Sequence, residues 1–181
     1  MPLRVMTYNI LNGGENREAY IFEVIRSSQP DVVVLQEVFT TEFLTFLSQE
    51  LGMDYYMGKG NKKRKVALLS RVPVLSFKSH SPLFPIWRNY IDVRIQYESK
   101  AKVQIIGVHP IANLGLPFEI WRSLEAKYLL NQIQSFQNDA CLIAGDFNAI
   151  APGEKVRTET MPNWLKWIIY LQGNRVYHFS I

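Results

Sequence analysis

The stretch LIAGDFNAI, residues 142–150, places an acid and an amide directly after an apolar run. The apolar run predicts a buried β-strand over 139–146. Because side chains alternate along an extended chain, Asp146 and Asn148 would lie on the same face of that strand. A buried carboxylate beside a buried amide costs free energy unless both have partners. The stretch therefore predicts either a tight polar turn or a site where something charged binds.

Length and composition are those of a folded globular protein. The chain has 181 residues, enough for one domain with a core, and 48% of them are hydrophobic. The net charge is +4 and the sequence pI is about 9.2. This charge favours an anionic partner such as nucleic acid, phosphate or an acidic membrane surface, but it fits a plain solvated surface equally well.

The single cysteine, Cys141, excludes a disulfide within the chain and a cysteine-based zinc site. The first ten residues do not read as a signal peptide. No apolar run reaches the roughly 18–20 residues that span a bilayer. We therefore expect a cytoplasmic protein without stable membrane insertion, and the oligomeric state stays open.

The rest of the chain predicts strands mixed with helices, which is typical of a layered α/β or α+β domain. Strands are expected at 3–8, 31–36, 65–70, 74–78, 90–96, 103–109 and 139–146. Helices are expected at 17–28, 40–51 and 117–135. Their apolar stripes would be Ala19, Phe22 and Ile25, then Phe43, Phe46, Leu47 and Leu51, and finally Ile120, Leu124, Tyr128 and Leu129.

Several predicted strands end on polar side chains. The ends are Asn9, the pair Gln36 and Glu37, His109, and the pair Asp146 and Asn148. In layered folds ligands bind where strand ends converge, so these ends predict one shared site.

The residue types at these ends favour phosphoester chemistry. Glu37 and Asp146 offer the hard oxygen ligands that suit Mg²⁺, Mn²⁺ or Ca²⁺. Asn9 and Asn148 add neutral oxygens and amide donors, and His109 can donate a hydrogen bond to a phosphoryl oxygen. Because protein-bound Mg²⁺ often works together with substrate phosphates, the set points to metal-assisted phosphoester hydrolysis.

Each of these residues also has a plainer interpretation. Asn9 alone could form a turn, Glu37 could be a charge near a helix start, and His109 could be a satisfied strand-end histidine. The basic segment KGNKKRK at 59–65 could follow a nucleic-acid backbone, contact an anionic membrane or be a plain solvated loop. Two groups of aromatic residues could contact bases or a membrane interface, although core packing is the simpler interpretation. The first group is Phe84, Trp87 and Tyr90, and the second is Trp164, Trp167 and Tyr170.

Five segments in order resemble the endonuclease/exonuclease/phosphatase superfamily, which includes deoxyribonuclease I, exonuclease III and neutral sphingomyelinase. They are TYNILNG at 7–13, DVVVLQEV at 31–38, ALLSRVPV at 67–74, GVHP at 107–110 and GDFNA at 145–149. The resemblance runs from Leu3 to about Ala149. It implies a single domain over 1–181 with a four-layer α/β sandwich of two packed mixed sheets and flanking helices.

The resemblance also implies a role for each site residue. Asn9 and Glu37 resemble the family's metal-site pair for Mg²⁺, with Mn²⁺ as an alternative, and Asn9 also contacts substrate. His109 resembles the phosphate-contacting histidine. Asp146 and Asn148 resemble the pair that activates water for in-line attack on phosphorus and stabilises the transition state. Arg71 resembles a structural residue that also steers the phosphate.

The chain departs from the family pattern after residue 149. Family members usually continue for about a hundred residues to a terminal Ser-Asp-His, which is absent here, and His178 stands in a different context. We therefore expect a domain that lacks the usual C-terminal segment. Two functions stay open: a metal-dependent phosphodiesterase, nuclease or phosphatase, acting on nucleic acid or a lipid head group, and a catalytically incomplete member that binds metal, phosphate or nucleic acid without turnover.

Overall fold

The computed structural model describes residues 2–60, 65–81, 89–97, 101–112, 116–134, 140–149 and 162–163. Several positions singled out in the sequence lie outside the described residues. These are the middle of the basic segment at 61–64, the aromatic residues Phe84 and Trp87, the aromatic group at 164–170, and His178.

The described part of the chain contains eight strands, three α-helices and a short 3-10 helix at Asn12–Gly14. The strands are β1 (Val5–Asn9), β2 (Val32–Val38), β3 (Asp54–Met57), β4 (Lys65–Ser70), β5 (Val74–His80), β6 (Tyr90–Tyr97), β7 (Ala101–Val108) and β8 (Ala140–Gly145). The helices are α1 (Glu18–Ser28), α2 (Thr41–Leu51) and α3 (Leu116–Gln134). Strand β3 was not predicted, because its four residues are too few to show an alternating pattern.

The strands form two mixed sheets of four strands each. The first sheet has the order β1-β2-β4-β3, in which β1 and β2 are parallel and the other pairs are antiparallel. The second has the order β5-β6-β7-β8, in which β7 and β8 are parallel. In each sheet the parallel pair therefore brings two carboxyl ends to the same edge.

The two sheets pack face to face with helices outside, which confirms the predicted sandwich. Val32 and Val34 of β2 face Val93 and Ile105 of the second sheet in one buried cluster. The alternate residues of β2 point to the other side and pack against α1 and α2. Helix α3 packs through Leu129 on the outer face of the second sheet. No helix of the described residues is long and apolar enough to cross a membrane.

The buried faces of α1 and α2 match the predicted stripes except at one residue of each helix. Ala19 is exposed, and α1 buries Ile21 and Ile25. Phe46 is partly exposed on α2, and Leu44 takes its place in the core. A short helix with apolar residues around much of its circumference admits neighbouring phases, and the packing against the sheet selects one of them.

The predicted stripe of α3 is wrong at its first half. Ile120 and Leu124 are exposed, whereas Arg122 and Glu125 are buried with Leu129. Hydrophobic periodicity predicts that apolar side chains face the sheet. It therefore cannot identify a helix face that buries charged side chains.

Candidate active site

The ends of β1, β2 and β8 meet at one edge of the sandwich. Asn9 is the last residue of β1, Glu37 lies near the end of β2, and Asp146 follows β8. Nδ2 of Asn9 donates hydrogen bonds to Oδ2 of Asp146 at 2.9 Å and to Oε1 of Glu37 at 3.2 Å. One amide group therefore holds two carboxylates from two different sheets.

The orientation of the Asn9 amide is set by its own loop. Its Oδ1 accepts a hydrogen bond from the backbone N–H of Leu11 at 2.9 Å, so the nitrogen faces the carboxylates. In this geometry the Asn9 nitrogen orients Glu37 and Asp146, while its oxygen, which accepts one hydrogen bond, keeps a second lone pair. The expected metal role of Asn9 stays a prediction.

Glu37 occupies an irregular position in β2. The pairing of β2 with β4 shifts register between Leu35 and Val38, and Glu37 has a positive φ of 62°. A bulge of this kind turns a side chain out of the regular pleat, at a conformational cost for a residue other than glycine. The Glu37 carboxylate then accepts a second hydrogen bond at Oε2 from the backbone N–H of Asn12 at 2.8 Å.

His109 follows β7 and is 5% exposed. Its Nε2 lies 3.9 Å from Oε1 of Glu37. This separation exceeds a hydrogen bond, but a protonated imidazole at this distance would interact favourably with the carboxylate. His109 therefore belongs to the same group of side chains as Asn9, Glu37 and Asp146.

Asp146 and Asn148 form a tight polar turn beside the charged group. Oδ1 of Asp146 accepts a hydrogen bond from the backbone N–H of Asn148 at 2.9 Å, and Asn148 has a positive φ of 49°. Nδ2 of Asn148 donates to the carbonyl of Pro110 at 3.0 Å. The two oxygens of Asp146 thus have different contacts, since one closes the turn to Asn148 and the other accepts from Asn9.

The side chains of two polar residues named in the sequence make their hydrogen bonds outside this group. Gln36 is buried and its Nε2 donates to Oγ1 of Thr7 and to the carbonyl of Val34, so it ties β1 to β2. Arg71 directly follows Ser70, which pairs with Val32 at the start of β2.

The position of Arg71 corrects its expected contact with substrate. Because Glu37 lies at the opposite end of β2, Arg71 is at the far end of the sheet from the site. Its side chain donates to the carbonyls of Pro30 and Leu51, and its backbone N–H donates to that of Asp31. These contacts give Arg71 a structural role.

Three participants escaped the sequence-based prediction. The backbone N–H of Asn12 and the carbonyl of Pro110 carry no sequence signal, because every residue has such groups. Arg122 of α3 donates from Nη1 to the carbonyl of Ile111 at 3.0 Å, next to the turn that bears His109. A single arginine in a helical segment reads as a surface charge, so only its burial reveals it.

The donor set fits a divalent cation. Two carboxylates that share one amide nitrogen repel each other, and a cation between them would remove that repulsion. Mg²⁺ usually takes one or two carboxylates, with water and substrate phosphate completing its coordination. Within the described residues, no three His, Cys, Asp or Glu side chains group closely enough to hold a metal by themselves. Glu37 and Asp146 are the two carboxylates that the Asn9 amide brings together, and they are the charged oxygen donors for such an ion.

Comparison with known proteins gives a clear family match. The model of the Endonuclease/Exonuclease/phosphatase family matches residues 6–169. No curated protein matches the chain by sequence.

Solved structures share the fold. A humanized D. rerio TDP2 is 20% identical with a TM-score of 0.68, over 82% of this chain and 63% of that one. The human Nocturnin catalytic domain, solved with a bound sulfate anion, is 23% identical with a TM-score of 0.68, over 84% of this chain and 66% of that one. A functionally unknown conserved protein from Enterococcus faecalis V583 is 14% identical with a TM-score of 0.67, over 86% of this chain and 69% of that one. The chain thus spans slightly less than two thirds of the TDP2 and Nocturnin chains.

Proposed function

The chain belongs to the endonuclease/exonuclease/phosphatase family, and from this premise we propose that it hydrolyses phosphoester bonds with a divalent metal ion at the Glu37–Asp146 group. One observation carries the proposal. Side chains from four separate strand ends, namely Asn9, Glu37, His109 and Asp146, converge at one edge of the sandwich. The stability of the fold does not require two carboxylates and a histidine to lie together at one edge of the sandwich. Enzymes that transfer phosphoryl groups do use such side chains.

Glu37 is the proposed metal ligand, and Mg²⁺ is the proposed ion, with Mn²⁺ as an alternative. When bound, the ion supplies positive charge that stabilises the negative charge developing on the phosphoryl oxygens. The hydrogen bonds from Asn9 and from the backbone of Asn12 hold the Glu37 carboxylate in one orientation. This fixed carboxylate needs little reorganisation when substrate arrives.

Asp146, Asn148 and His109 are the proposed catalytic side chains. Asp146 accepts a proton from, or orients, the water that attacks phosphorus in line with the leaving group. Asn148, held by Pro110 and by the Asp146 turn, stabilises the transition state through its amide. His109 donates a hydrogen bond from its imidazole to a phosphoryl oxygen.

The proposed substrate is a polyanionic phosphodiester, with nucleic acid placed before a lipid head group. The net charge of +4 favours polyanions. A D. rerio TDP2 of the same fold was solved in complex with a single-stranded DNA product, which makes single-stranded DNA the first natural substrate to test.

The decisive experiment is Mg²⁺-dependent hydrolysis of a chromogenic phosphodiester by the purified chain. The Asp146→Asn and Glu37→Gln variants remove a negative charge while keeping the side-chain shape. We expect each to lower kcat by about 100-fold or more. Asp54→Asn, on the exposed start of β3, is the matched acid-to-amide control and should keep wild-type turnover. Equal turnover in all four proteins would contradict the proposed site.

A second candidate is a family member that binds metal and phosphate without turnover. The small number of charged ligands favours this candidate, because among the described residues only two carboxylates, and no group of three His, Cys, Asp or Glu side chains, are placed to bind a metal ion. Titration of Mn²⁺ followed by electron paramagnetic resonance separates the two functions. Binding that is lost in Glu37→Gln, without hydrolysis by the wild type, would support this second candidate.

A further inference from the structure

Helix α3 buries two charged side chains on the face that packs against the second sheet. Arg122 is 7% exposed and Glu125, one turn later, is 2% exposed, while Ile120 on the same helix is 55% exposed. Burying charged groups costs free energy unless they are paired and hydrogen-bonded. Exchanging the exposed isoleucine for the buried arginine would make a more ordinary amphipathic helix. The polar contacts of the two side chains therefore indicate what their burial achieves.

The Arg122 side chain reaches the turn that carries His109. Nη1 of Arg122 donates to the carbonyl of Ile111 at 3.0 Å. The preceding carbonyl, of Pro110, accepts from Nδ2 of Asn148 at 3.0 Å. Two successive carbonyls after His109 are thus held by side chains from two different elements, α3 and the turn after β8.

Glu125 lies near the same turn. A small cavity between α3 and the second sheet is lined by Glu125, His109 and Pro110, together with Tyr90 and Leu129. Arg122 therefore contacts the residues that directly follow β7, and Glu125 lies beside them. Together they connect the body of α3 to the histidine of the site.

We infer that Arg122 is a positioning residue that holds the turn after β7 so that the His109 imidazole faces Glu37. Its consequence for turnover rests on the proposed function, whereas its consequence for the position of the imidazole does not. A guanidinium group suits this role, because its N–H donors lie in one rigid plane and the helix sets the direction of the side chain. A shift of about 1 Å in a reacting group can lower a rate by about 100-fold.

The test compares Arg122→Gln with Lys127→Gln, an exposed site on the same helix. The first readout is the chemical shift of the His109 ring in histidine-labelled protein, at one fixed alkaline pH without metal, assigned with His109→Gln. We expect the ring signals to move or broaden in Arg122→Gln and to stay in place in Lys127→Gln. The second readout is the separate measurement of kcat and KM. In Arg122→Gln we expect kcat to fall about 10- to 100-fold and KM to stay within about twofold of the wild-type value.

A second variant covers the case in which Arg122→Gln does not fold. Arg122→Met combined with Glu125→Gln removes both buried charges together, so neither a guanidinium nor a carboxylate is left buried on this face of α3. A folded variant with unmoved His109 ring signals would overturn the inference, and so would failure of both variants to fold, which would make Arg122 a requirement of the fold alone. If the wild type shows no turnover, the proposed function fails, but the ring signals still decide the positioning role.

Discussion

The amide nitrogen of Asn9 lies 2.9 Å from Oδ2 of Asp146, which is 137 positions later in the chain. Asn9 ends β1 in the first sheet, and Asp146 follows β8 in the second. This hydrogen bond therefore joins the two sheets at the edge where the proposed active site lies. Stability and site geometry are coupled through it.

The first prediction concerns this bond. Asn9→Ala removes the donor that Glu37 and Asp146 share and leaves two carboxylates facing each other. We expect the free energy of unfolding to fall by about 1–3 kcal/mol in denaturant titrations. Asn131→Ala, on an exposed position of α3, is the control and should change it by less than about 0.5 kcal/mol.

A double-mutant cycle sharpens this prediction. In the Asn9→Ala background, Asp146→Ala should destabilise less than in the wild type, because the repulsion between carboxylates is then relieved. We expect a coupling free energy of about 1 kcal/mol. Strictly additive effects would show that the bond contributes nothing to stability.

The second prediction concerns backbone strain at Glu37, whose φ is 62°. Glu37→Ala and Glu37→Gly both remove the carboxylate, but only glycine adopts this φ without a steric cost. We expect the Gly variant to be more stable than the Ala variant by about 1 kcal/mol in thermal or denaturant unfolding. At the extended residue Val34 the same pair of substitutions should give the opposite order, since glycine lowers the stability of a regular strand.

The third prediction concerns the close approach of β7 and β8 at Gly145. A Cβ atom on Gly145 would lie 1.9 Å from the carbonyl oxygen of Val108, a distance that forces the backbone to move. We expect Gly145→Ala to displace Asp146, to destabilise the protein by more than about 2 kcal/mol and to abolish turnover. Gly52→Ala is the control, because Gly52 has a positive φ but no atom within 4 Å of its added Cβ.

Gly52→Ala should therefore carry only the conformational cost, about 1 kcal/mol, with turnover unchanged. If Gly145→Ala were as mild as Gly52→Ala, β7 and β8 would have to separate without disturbing the site. Circular dichroism and the phosphodiesterase assay on the same preparations distinguish these outcomes.

The fourth prediction is a pH dependence of stability from Tyr90. Burial, followed by the charge and hydrogen bond of neighbouring Tyr128 and the charge of Asp92, raises the pKa of Tyr90 to about 12. Because the folded pKa exceeds the unfolded value near 10, the neutral phenol stabilises the fold below pH 10. This contribution is lost as the pH rises toward 12, with a slope of about 1.4 kcal/mol per pH unit.

Denaturant unfolding between pH 9 and 12 measures this slope. Tyr90→Phe should lose less stability over that range than the wild type, since phenylalanine does not titrate. Tyr20→Phe, at an exposed position of α1, is the matched control and should keep the wild-type slope. Identical slopes in Tyr90→Phe and the wild type would refute the assignment.

Much of the architecture was predictable, since strands bury apolar residues and end at polar ones. The runs at 31–36 and 140–144 are apolar enough to be identified without tertiary information. The burial of Leu44 in place of Phe46 on α2 and the inward charges of α3 were not predictable, because helices with scattered apolar residues admit more than one buried face. Arg71 was misplaced for a related reason: its strand was identified correctly, but the direction of that strand relative to the site was unknown.

By itself, the sequence determined which residue types stand at the ends of the strands, and so the kind of chemistry the protein can perform. Only the tertiary structure decided which of those ends meet. Asn9 and Asp146 lie on different sheets, and the packing of the sheets brings them together at one edge. Local sequence dictates backbone conformation and side-chain chemistry over a few residues. Contacts between distant residues depend on the burial of whole faces, which no short segment encodes alone.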